Sequence, residues 1–383
     1  MSGKPNLKPA RPWFSSGPTA KRPGWSSQAL SHELLGRGIR APEVVARFAH
    51  GLKLTRELLQ VPADWVLVYV PGSDTGAVEA AMWSMLGERP VQVLAYENFG
   101  KVWATDAKSH LKLEPEVLEA PWGRFPDVSK VDPKKDLVFP WNGTTSGVKA
   151  PGADWISDER EGLVICDATS AAFAMPLPWP KLDVVTFSFQ KALGGEAGLG
   201  VAALSPRAVE RLDRYAAPRS VPKVLRLRDD KGFDRTLATG SMINTFSVWT
   251  LEDWIDAVEW ALAAGGLAAL IARTDANAAA LDAWVQRTPW VEYLAETPDI
   301  RSTTSVCLKV VDPRVEAMND DTRRALVTRM KALVEDEGAA FDIEGHRNAP
   351  AGLRVWCGCT VETADIEALT PWMDWAFETA IAE

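Results

Sequence analysis

A chain of 383 residues exceeds the usual size of a single hydrophobic core, so its length predicts two packed domains. Hydrophobic residues make up 46% and charged residues 24%, which is the composition of an ordinary globular protein. The formal net charge is −9, from 42 Lys and Arg against 51 Asp and Glu. This acidic balance argues against nucleic acid or an anionic membrane as the main partner.

The N-terminal segment and the cysteines bear on the cellular compartment. MSGKPNLKPARPWF contains no apolar stretch and does not resemble a signal peptide, and no apolar run approaches the length that spans a bilayer. The four cysteines form no CxxC pair, and we interpret them as buried thiols of a cytoplasmic protein; they are Cys166, Cys307, Cys357 and Cys359. Cys357 and Cys359 are predicted to alternate on one face of a strand, and the four histidines lack ligand spacing, so we expect no metal.

Short apolar runs alternate with helix-like stretches from Val61 to Leu204. The runs predicted as buried strands are Trp65–Val70, Val91–Tyr96, Leu137–Phe139, Leu163–Ala168, Asp183–Ser188 and Val201–Leu204. An amphipathic helix is predicted over Val78–Gly87. Near-continuous apolar strands that alternate with helices indicate an α/β architecture, with a mostly parallel sheet covered on both faces.

The rest of the chain changes rhythm after a basic, loop-rich segment, Arg219–Arg235. The helical stretches predicted there are Ser247–Gln286, Asp321–Glu337 and Asp365–Ala382, and the strands are Thr304–Val311 and Leu353–Thr360. This pattern predicts a smaller α+β domain, on which the N-terminal arm packs.

The turn PGSDTG, at positions 71–76, lies between a predicted strand and a predicted helix. Backbone N–H groups and hydroxyls at a helix N-terminus can form a cradle for a phosphate group. A simple N-cap by Ser73 or Asp74 explains the same residues equally well.

Two chemically active side chains follow consecutive predicted strands. Asp167 ends the run LVICD, and Lys191 follows DVVTFSFQ and precedes a glycine-rich bend. The carboxyl ends of neighbouring strands in an open α/β sheet are where ligands bind. An aspartate there can hold the nitrogen of a pyridine ring, and a buried lysine can form a Schiff base, although a capping Asp and a solvated Lys remain alternatives.

Basic residues lie near both ends of the chain: Arg40 early, and His346, Arg347 and Arg354 late. Arg354 begins a predicted strand, and a guanidinium group is the usual bidentate partner of a carboxylate. Ordinary surface salt bridges are the alternative interpretation.

Seven motifs in register resemble the phosphoserine aminotransferase family, within the class V, fold-type I aminotransferases that use pyridoxal 5′-phosphate (PLP). They are WFSSGPTAKRPGW, PGSDTGAVE, WNGTTSG, ICDATSAAF, FSFQKALGGE, SMINT and GHR…GLR, and they run over nearly the whole chain. The resemblance implies a large PLP-binding domain, residues 17–265, with a mostly parallel sheet of the seven-stranded type between helices. Residues 1–16 and 266–383 would form the smaller α+β domain.

The resemblance also implies roles around the cofactor ring. Lys191 matches the catalytic Schiff-base lysine, and Asp167 matches the partner of the pyridine nitrogen. Thr144 matches the threonine at the ring's 3′-oxygen. Trp103 matches the aromatic side chain that stacks on the ring, with Phe99 as the second candidate.

Further matches concern phosphate groups and substrate. The positions at the cofactor phosphate are Asp74, Thr75 and Gln190, together with Asn244 and Thr245 from the other subunit of a dimer. Ser16 and Arg354 match the binders of the substrate carboxylate, and Arg40, His346 and Arg347 match the basic set that recognises the substrate phosphate. Ile39 stands where the family commonly has a histidine.

The function implied is a reversible amino transfer between glutamate and 3-phosphohydroxypyruvate, which gives O-phospho-L-serine and 2-oxoglutarate in serine biosynthesis. The resemblance further implies a homodimer with active sites at the subunit interface, and small molecules rather than nucleic acid or membrane as partners. Use of 4-phosphohydroxythreonine, in vitamin B6 synthesis, is left open.

Four alternatives remain at this point. A serine/alanine–glyoxylate-type aminotransferase has no need of the His346–Arg347 pair, and a cysteine desulfurase needs a mobile cysteine, whereas Cys357 and Cys359 lie in a predicted strand. A non-catalytic binding protein on the same fold usually lacks the lysine or the aspartate. A nicotinamide-dependent dehydrogenase is disfavoured because no GxGxxG follows the early strands.

Overall fold

The computed structural model describes residues 3–382. Its helices are α1 (Pro42–Leu59), α2 (Ser73–Met85), α3 (Asn98–Thr105), α4 (Pro206–Arg214), α5 (Val248–Ala263), α6 (Gly266–Val285), α7 (Pro313–Glu316), α8 (Asp320–Asp336) and α9 (Thr363–Ala382). Its strands are β1 (Val66–Pro71), β2 (Val91–Ala95), β3 (Glu116–Glu119), β4 (Asp136–Pro140), β5 (Asn142–Gly143), β6 (Val148–Lys149), β7 (Val164–Asp167), β8 (Val184–Ser188), β9 (Leu199–Leu204), β10 (Arg228–Asp229), β11 (Gly232–Phe233), β12 (Val291–Tyr293), β13 (Ser305–Val310) and β14 (Gly352–Trp356).

A seven-stranded sheet forms the centre of the molecule, in the order β1-β9-β8-β7-β4-β2-β3. Its pairs are parallel except those that β9 makes with β1 and β8. Each of the six predicted strands overlaps a strand of this sheet, so the predicted α/β class is confirmed. The short edge strand β3 was not predicted, because two of its four residues are exposed and both are glutamates.

The sheet is buried on both faces, which explains why its strands are nearly continuous apolar runs. Alternate residues of β1 belong to different cores: Val68 and Val70 pack with α2, whereas Leu67 and Tyr69 pack in a larger core with α1 and α5. Helices therefore cover both faces of the sheet, and the carboxyl ends of its strands are where polar side chains can face a ligand.

Helix α2 differs from the prediction in its start and in its character. It begins at Ser73, directly after Gly72 in the left-handed conformation (φ 84°), and it ends at Met85. Nine of its 13 residues are buried, so the amphipathic character predicted for Val78–Gly87 is wrong. The helix lies in the interior between sheet and neighbouring loops, where no polar face is needed.

The region Ser247–Gln286 forms two helices instead of one. Gly265 (φ 111°) and Gly266 (φ 71°) interrupt it, and α5 and α6 meet at 87°. No single helix within residues 3–382 is long and apolar enough to cross a membrane, although this bent pair passes the same test of length and composition. We propose that this break is the boundary between two domains. The large domain would be residues 17–265, and the small domain would combine residues 1–16 with residues 266–383. Residues 1, 2 and 383 lie outside the described part.

The C-terminal part contains a three-stranded antiparallel sheet, β12-β13-β14, to which the N-terminal arm is attached. Trp13 forms a bridge with Phe341, and the Trp356 N–H donates to the Phe14 carbonyl at 3.1 Å. Strand β14 ends at Trp356, because the chain then turns around Gly358, whose carbonyl accepts from the Val361 N–H at 3.0 Å.

The end of β14 corrects the prediction for the late cysteines. Cys357 and Cys359 lie beyond the strand and do not alternate along it. Both side chains are nonetheless fully buried, and burial raises the pKa of each thiol. The conclusion that neither is a mobile nucleophile therefore holds for a different reason.

Candidate active site

A cavity of about 250 Å³ opens at the carboxyl edge of the large sheet. Strands β1, β4, β7 and β8 all end there, and each delivers polar residues to the cavity from the turn that follows it. Seven of the predicted site residues line the cavity together: Asp74, Thr75, Trp103, Thr144, Asp167, Gln190 and Lys191. Phe99, the second candidate for the stacking aromatic residue, lines it as well.

Lys191 lies at the centre of this cavity, and its ammonium group donates to the carbonyl of Ser16. Burial and the positive charge of Arg354 lower the pKa of Lys191 to about 8. The N-terminal arm approaches it closely at Gly17 (φ 154°), where a Cβ atom would collide with the lysine Nζ. A side chain at this position would force the lysine amine to move, and the positive φ itself favours glycine.

Asp167 faces the cavity from the end of β7 and is held by two N–H donors. The indole Nε1 of Trp103 donates to one carboxylate oxygen at 3.1 Å, and the Thr169 N–H donates to the other at 3.0 Å. The first of these bonds also fixes the plane of the buried Trp103 ring. The arrangement provides a flat aromatic wall beside an oriented carboxylate.

The turn before α2 forms the other end of the cavity. Ser73 has a positive φ of 60°, a backbone conformation that non-glycine residues rarely adopt and that is concentrated at functional sites. Gln190 donates from its side-chain amide to the Ser73 hydroxyl, which connects the lysine loop to the helix. The Gly72 and Ser73 N–H groups donate to the Gly198 carbonyl, which leaves the N–H groups of Asp74 and Thr75, in the first turn of the helix, to face an anion.

Thr144 is hydrogen-bonded to Ser170 and Ser305, and Ser305 links it to Ser16 in the N-terminal arm. Its hydroxyl is hydrogen-bonded to that of Ser170, and its carbonyl accepts from the Ser305 hydroxyl at 2.7 Å. The Ser16 and Ser305 hydroxyls are 3.1 Å apart. Ser16, whose backbone carbonyl accepts from Lys191, is thus buried beside the site.

Glu97 is a cavity residue that the sequence analysis missed. It is fully buried, accepts from the Gly100 N–H at 2.7 Å and from the Thr145 hydroxyl at 2.8 Å, and its burial raises its pKa to about 7. The signal was available, since a glutamate directly after an apolar strand that precedes a helix is an N-cap at the same sheet edge. Asn142 and Thr169 also line the cavity and were missed.

Arg354 and the loop that precedes β14 supply positive charge beside the cavity. Arg354 lies opposite Cys307 in the small sheet, and its buried Nε has no hydrogen-bond partner. His346 is half-buried, and burial together with Arg354 and Arg347 lowers its pKa. Arg347 itself is exposed, and Asn348 of the same loop donates to the Asn98 side chain at 2.7 Å, at the start of α3.

Arg40, Asn244 and Thr245 lie elsewhere in the single chain. They line a second cavity of about 500 Å³, whose lining residues are different from those around Lys191. All three side chains are exposed. Within one chain, the predicted site residues therefore fall into two groups, and Arg40, Asn244 and Thr245 do not lie near Lys191.

Unpaired buried atoms show whether the cavity fits PLP. Within residues 3–382, the buried side-chain atoms without a hydrogen-bond partner include Asp74 Oδ1, Thr169 Oγ1, Ser188 Oγ, Gln190 Oε1 and Arg354 Nε. Unsatisfied buried polar atoms are costly and rare, so their concentration here indicates a polar ligand. An amine, a carboxylate, an aromatic wall and a helix N-terminus match the aldehyde, the ring nitrogen, the ring and the phosphate of PLP.

Comparison with known proteins adds independent information. No model of a protein family matches the chain. The phosphoserine aminotransferase of Methanosarcina mazei is 47% identical over 376 residues, which cover 98% of this chain and 99% of the relative. That of Methanosarcina barkeri is 48% identical over 375 residues, with the same coverage. The crystal structure of PLP-bound phosphoserine aminotransferase from Trichomonas vaginalis superposes with a TM-score of 0.73, at 18% identity, over 95% of this chain and 100% of that one.

The fold and the cavity are therefore those of a PLP-dependent aminotransferase. Because the identity to the Methanosarcina proteins extends over nearly the full length of both chains, the chain belongs to the phosphoserine aminotransferase family. The family, the fold class, the transaminase class and the cofactor predicted from the sequence are confirmed.

Proposed function

We propose that the protein transfers an amino group reversibly between glutamate and 3-phosphohydroxypyruvate, which gives O-phospho-L-serine and 2-oxoglutarate. The observation that carries this proposal is the 47% and 48% identity to two phosphoserine aminotransferases, over nearly the full length of each chain. The cavity supports it, because Lys191, Asp167 and an unpaired Arg354 lie within or beside one pocket.

Lys191 would serve as the residue that holds PLP and then moves a proton. PLP, when bound, acts as an electron sink that makes the substrate's Cα proton removable. With a pKa of about 8, the amine is partly neutral near physiological pH and can accept that proton as a general base. The Ser16 carbonyl, which accepts from the amine, keeps it directed into the cavity.

Asp167, Trp103 and Thr144 would orient the ring. The two N–H donors hold the Asp167 carboxyl group in place, and a carboxylate is the partner that would keep a pyridine nitrogen protonated. The Trp103 ring excludes water from one side, and the Thr144 hydroxyl supplies a hydrogen bond at the ring's edge. The Ser73–Thr75 turn and Gln190 would take the phosphate end.

The substrate's two charged ends would meet different basic residues. Arg354, with its free Nε, can bind the carboxylate that glutamate and phosphohydroxypyruvate share, and the buried Ser16 can add a hydroxyl. His346 and Arg347 lie on the adjacent loop and would bind the phosphate. A phosphate pocket would distinguish phosphoserine from serine and alanine, which lack the second charge.

A half-reaction assay tests this substrate choice. The holoenzyme is mixed separately with phosphoserine, glutamate, serine, alanine and 4-phosphohydroxythreonine, and its absorbance is followed as the cofactor gains the amino group. We expect rapid conversion by phosphoserine and glutamate. Equal conversion by serine and alanine would contradict the proposal and favour a glyoxylate-type aminotransferase.

If a second subunit completes the site, this would explain why three predicted site residues lie apart from Lys191 within one chain. Arg40, Asn244 and Thr245 line one concave, exposed surface that also carries Lys223 and the exposed Val224. In a symmetric dimer, this surface of one subunit can cover the cavity of the other, which adds Asn244 and Thr245 to the cofactor phosphate and Arg40 to the substrate phosphate.

Hybrid dimers test this arrangement. Lys191→Ala removes the amine, and Asn244→Asp places a carboxylate against the cofactor phosphate, so we expect each variant alone to be nearly inactive. Random mixing after reversible dissociation should restore roughly a quarter of wild-type activity, because half of the dimers then contain one intact site. A mixture as inactive as its components would show that each site is built within one chain.

We also propose a cytoplasmic location. The four cysteines of the chain are free thiols buried in the structure, as is usual in a reducing compartment. Fractionation of cells that express the protein would test this location, and a membrane-bound or exported pool would contradict it.

A further inference from the structure

Two buried carboxyl groups, those of Asp74 and Asp167, line the cavity together. Asp74, in the first turn of α2, was predicted to lie at the cofactor phosphate, and its side chain shares the cavity with Asp167. The two side chains are 5% and 7% exposed, both line the same cavity, and the charge of Asp167 acts on Asp74. A hydrogen bond between two carboxyl groups requires a proton on one of them.

The hydrogen-bond partners show which carboxyl keeps the proton. Asp167 accepts from the Trp103 indole and from the Thr169 N–H, and such donors stabilise a carboxylate. Asp74 Oδ1 is buried without a partner. Burial and the neighbouring charge of Asp167 raise the pKa of Asp74 well above its ordinary value.

The surrounding charges do not favour a second carboxylate. Lys191 is the cation that faces the pair from the loop after β8, while Glu97, at the end of β2, and the Cys166 thiol, on β7, add negative or neutral groups. Arg354 acts on Lys191 from β14. The hydroxyls of Thr169, after β7, and of Thr186, on β8, lower the pKa of Asp74, but they bring no charge. Two adjacent carboxylates in such surroundings cannot both stay ionised.

We propose that Asp74 is a positioning residue that retains a proton and donates it as a hydrogen bond to Asp167, so that the pair carries a single negative charge directed at the ring nitrogen of PLP. This inference rests on the proposed role of Asp167. With the proton held on Asp74, Asp167 remains the carboxylate that pairs with the protonated ring nitrogen. The ring then keeps the positive charge that its electron-withdrawing role requires.

Infrared spectroscopy observes the proton directly. We expect both the holoenzyme and the apoprotein at pH 8 to show the carbonyl stretch of a protonated carboxyl group. Carboxyl-labelled ¹³C-aspartate should shift this band in the wild-type protein, a result that needs no variant. Asp74→Asn should remove the band, whereas Glu97→Gln should leave it. Absence of the band in the wild type, or its persistence in Asp74→Asn, would overturn the proposal.

The stability of the apoprotein gives a second measurement, with a sign that follows from linkage. A folded-state pKa above the unfolded value means that the folded state binds more protons, so stability falls as pH rises from about 4 through the folded pKa. We therefore expect the Tm difference between pH 5 and pH 8 to shrink in Asp74→Asn. Asp321→Asn, an exposed first-turn aspartate of α8, should keep the wild-type dependence. Equal pH dependence in all three proteins would contradict a proton on Asp74.

Kinetics separate positioning from simple packing. Asparagine retains a donor towards Asp167 and alanine does not, so kcat should fall roughly tenfold further in Asp74→Ala than in Asp74→Asn. Equal losses would assign Asp74 a packing role only. The infrared band does not depend on the substrate, so its absence would leave the proposed reaction intact, and a failed half-reaction assay would leave the shared proton intact.

Discussion

Replacement of Lys191 by alanine is expected to lower turnover by at least about 10⁴-fold, because the general base and the covalent attachment of the cofactor are lost together. Titration with PLP should also fail to produce the absorbance of a covalently held cofactor. The purified protein, titrated with PLP and then assayed with glutamate and phosphohydroxypyruvate, provides both measurements.

Two further variants show that the effect belongs to this amine. Lys191→Arg keeps the positive charge but cannot form the covalent link, so we expect it to be as inactive as the alanine variant. Lys309→Ala removes a half-exposed lysine on β13 that pairs with Glu292 and should leave both properties unchanged. An unchanged spectrum in Lys191→Ala would exclude Lys191 from its proposed role.

Replacement of Arg354 by alanine is expected to lower kcat/KM by roughly 10²- to 10³-fold for both substrates, because truncation of a half-buried, charge-assisted partner leaves the substrate carboxylate unpaired. Arg354→Lys should recover little, since an ammonium group cannot form the bidentate pair. Steady-state kinetics with glutamate and with phosphohydroxypyruvate measure the two effects separately.

Arg40→Ala provides the matched comparison. The proposed role of Arg40 is at the substrate phosphate, so its loss should raise KM for phosphohydroxypyruvate far more than KM for glutamate. Arg314→Ala removes an exposed arginine that pairs with Asp312 and should change neither. Equal effects of Arg40→Ala on both substrates would show that Arg40 does not bind the phosphate, and a selective effect of Arg354→Ala would remove it from the shared carboxylate.

The positions of the strands were readable from the sequence because a sheet buried on both faces needs apolar residues at every position. The direction of β9 was not readable, since LGVAAL is equally suited to parallel and antiparallel pairing. The break between α5 and α6 was missed although Gly265 and Gly266 mark it, because the apolar pattern continues across them.

The candidate site was predictable where a residue follows an apolar strand directly, as Asp167 and Lys191 do. Glu97 and Asp74 show the limit of this reasoning. The sequence places both at the sheet edge, but it does not show that their side chains are buried there, because that depends on Thr145 and Asp167, which are distant in sequence. Residues that a second chain would supply cannot be placed from one fold alone.

The connection that carries Lys191 has a mechanical consequence. It joins two adjacent antiparallel strands, β8 and β9, and is bonded at both ends: the Phe189 N–H donates to the Leu199 carbonyl, and the Gly195 N–H donates back to Phe189 at 2.9 Å. Inside it, the Gly194 N–H donates to the Lys191 carbonyl at 2.8 Å. These hydrogen bonds hold the backbone of the lysine in place, so the mobile part is its four-carbon side chain. We therefore expect the amine to change position without any change in the loop.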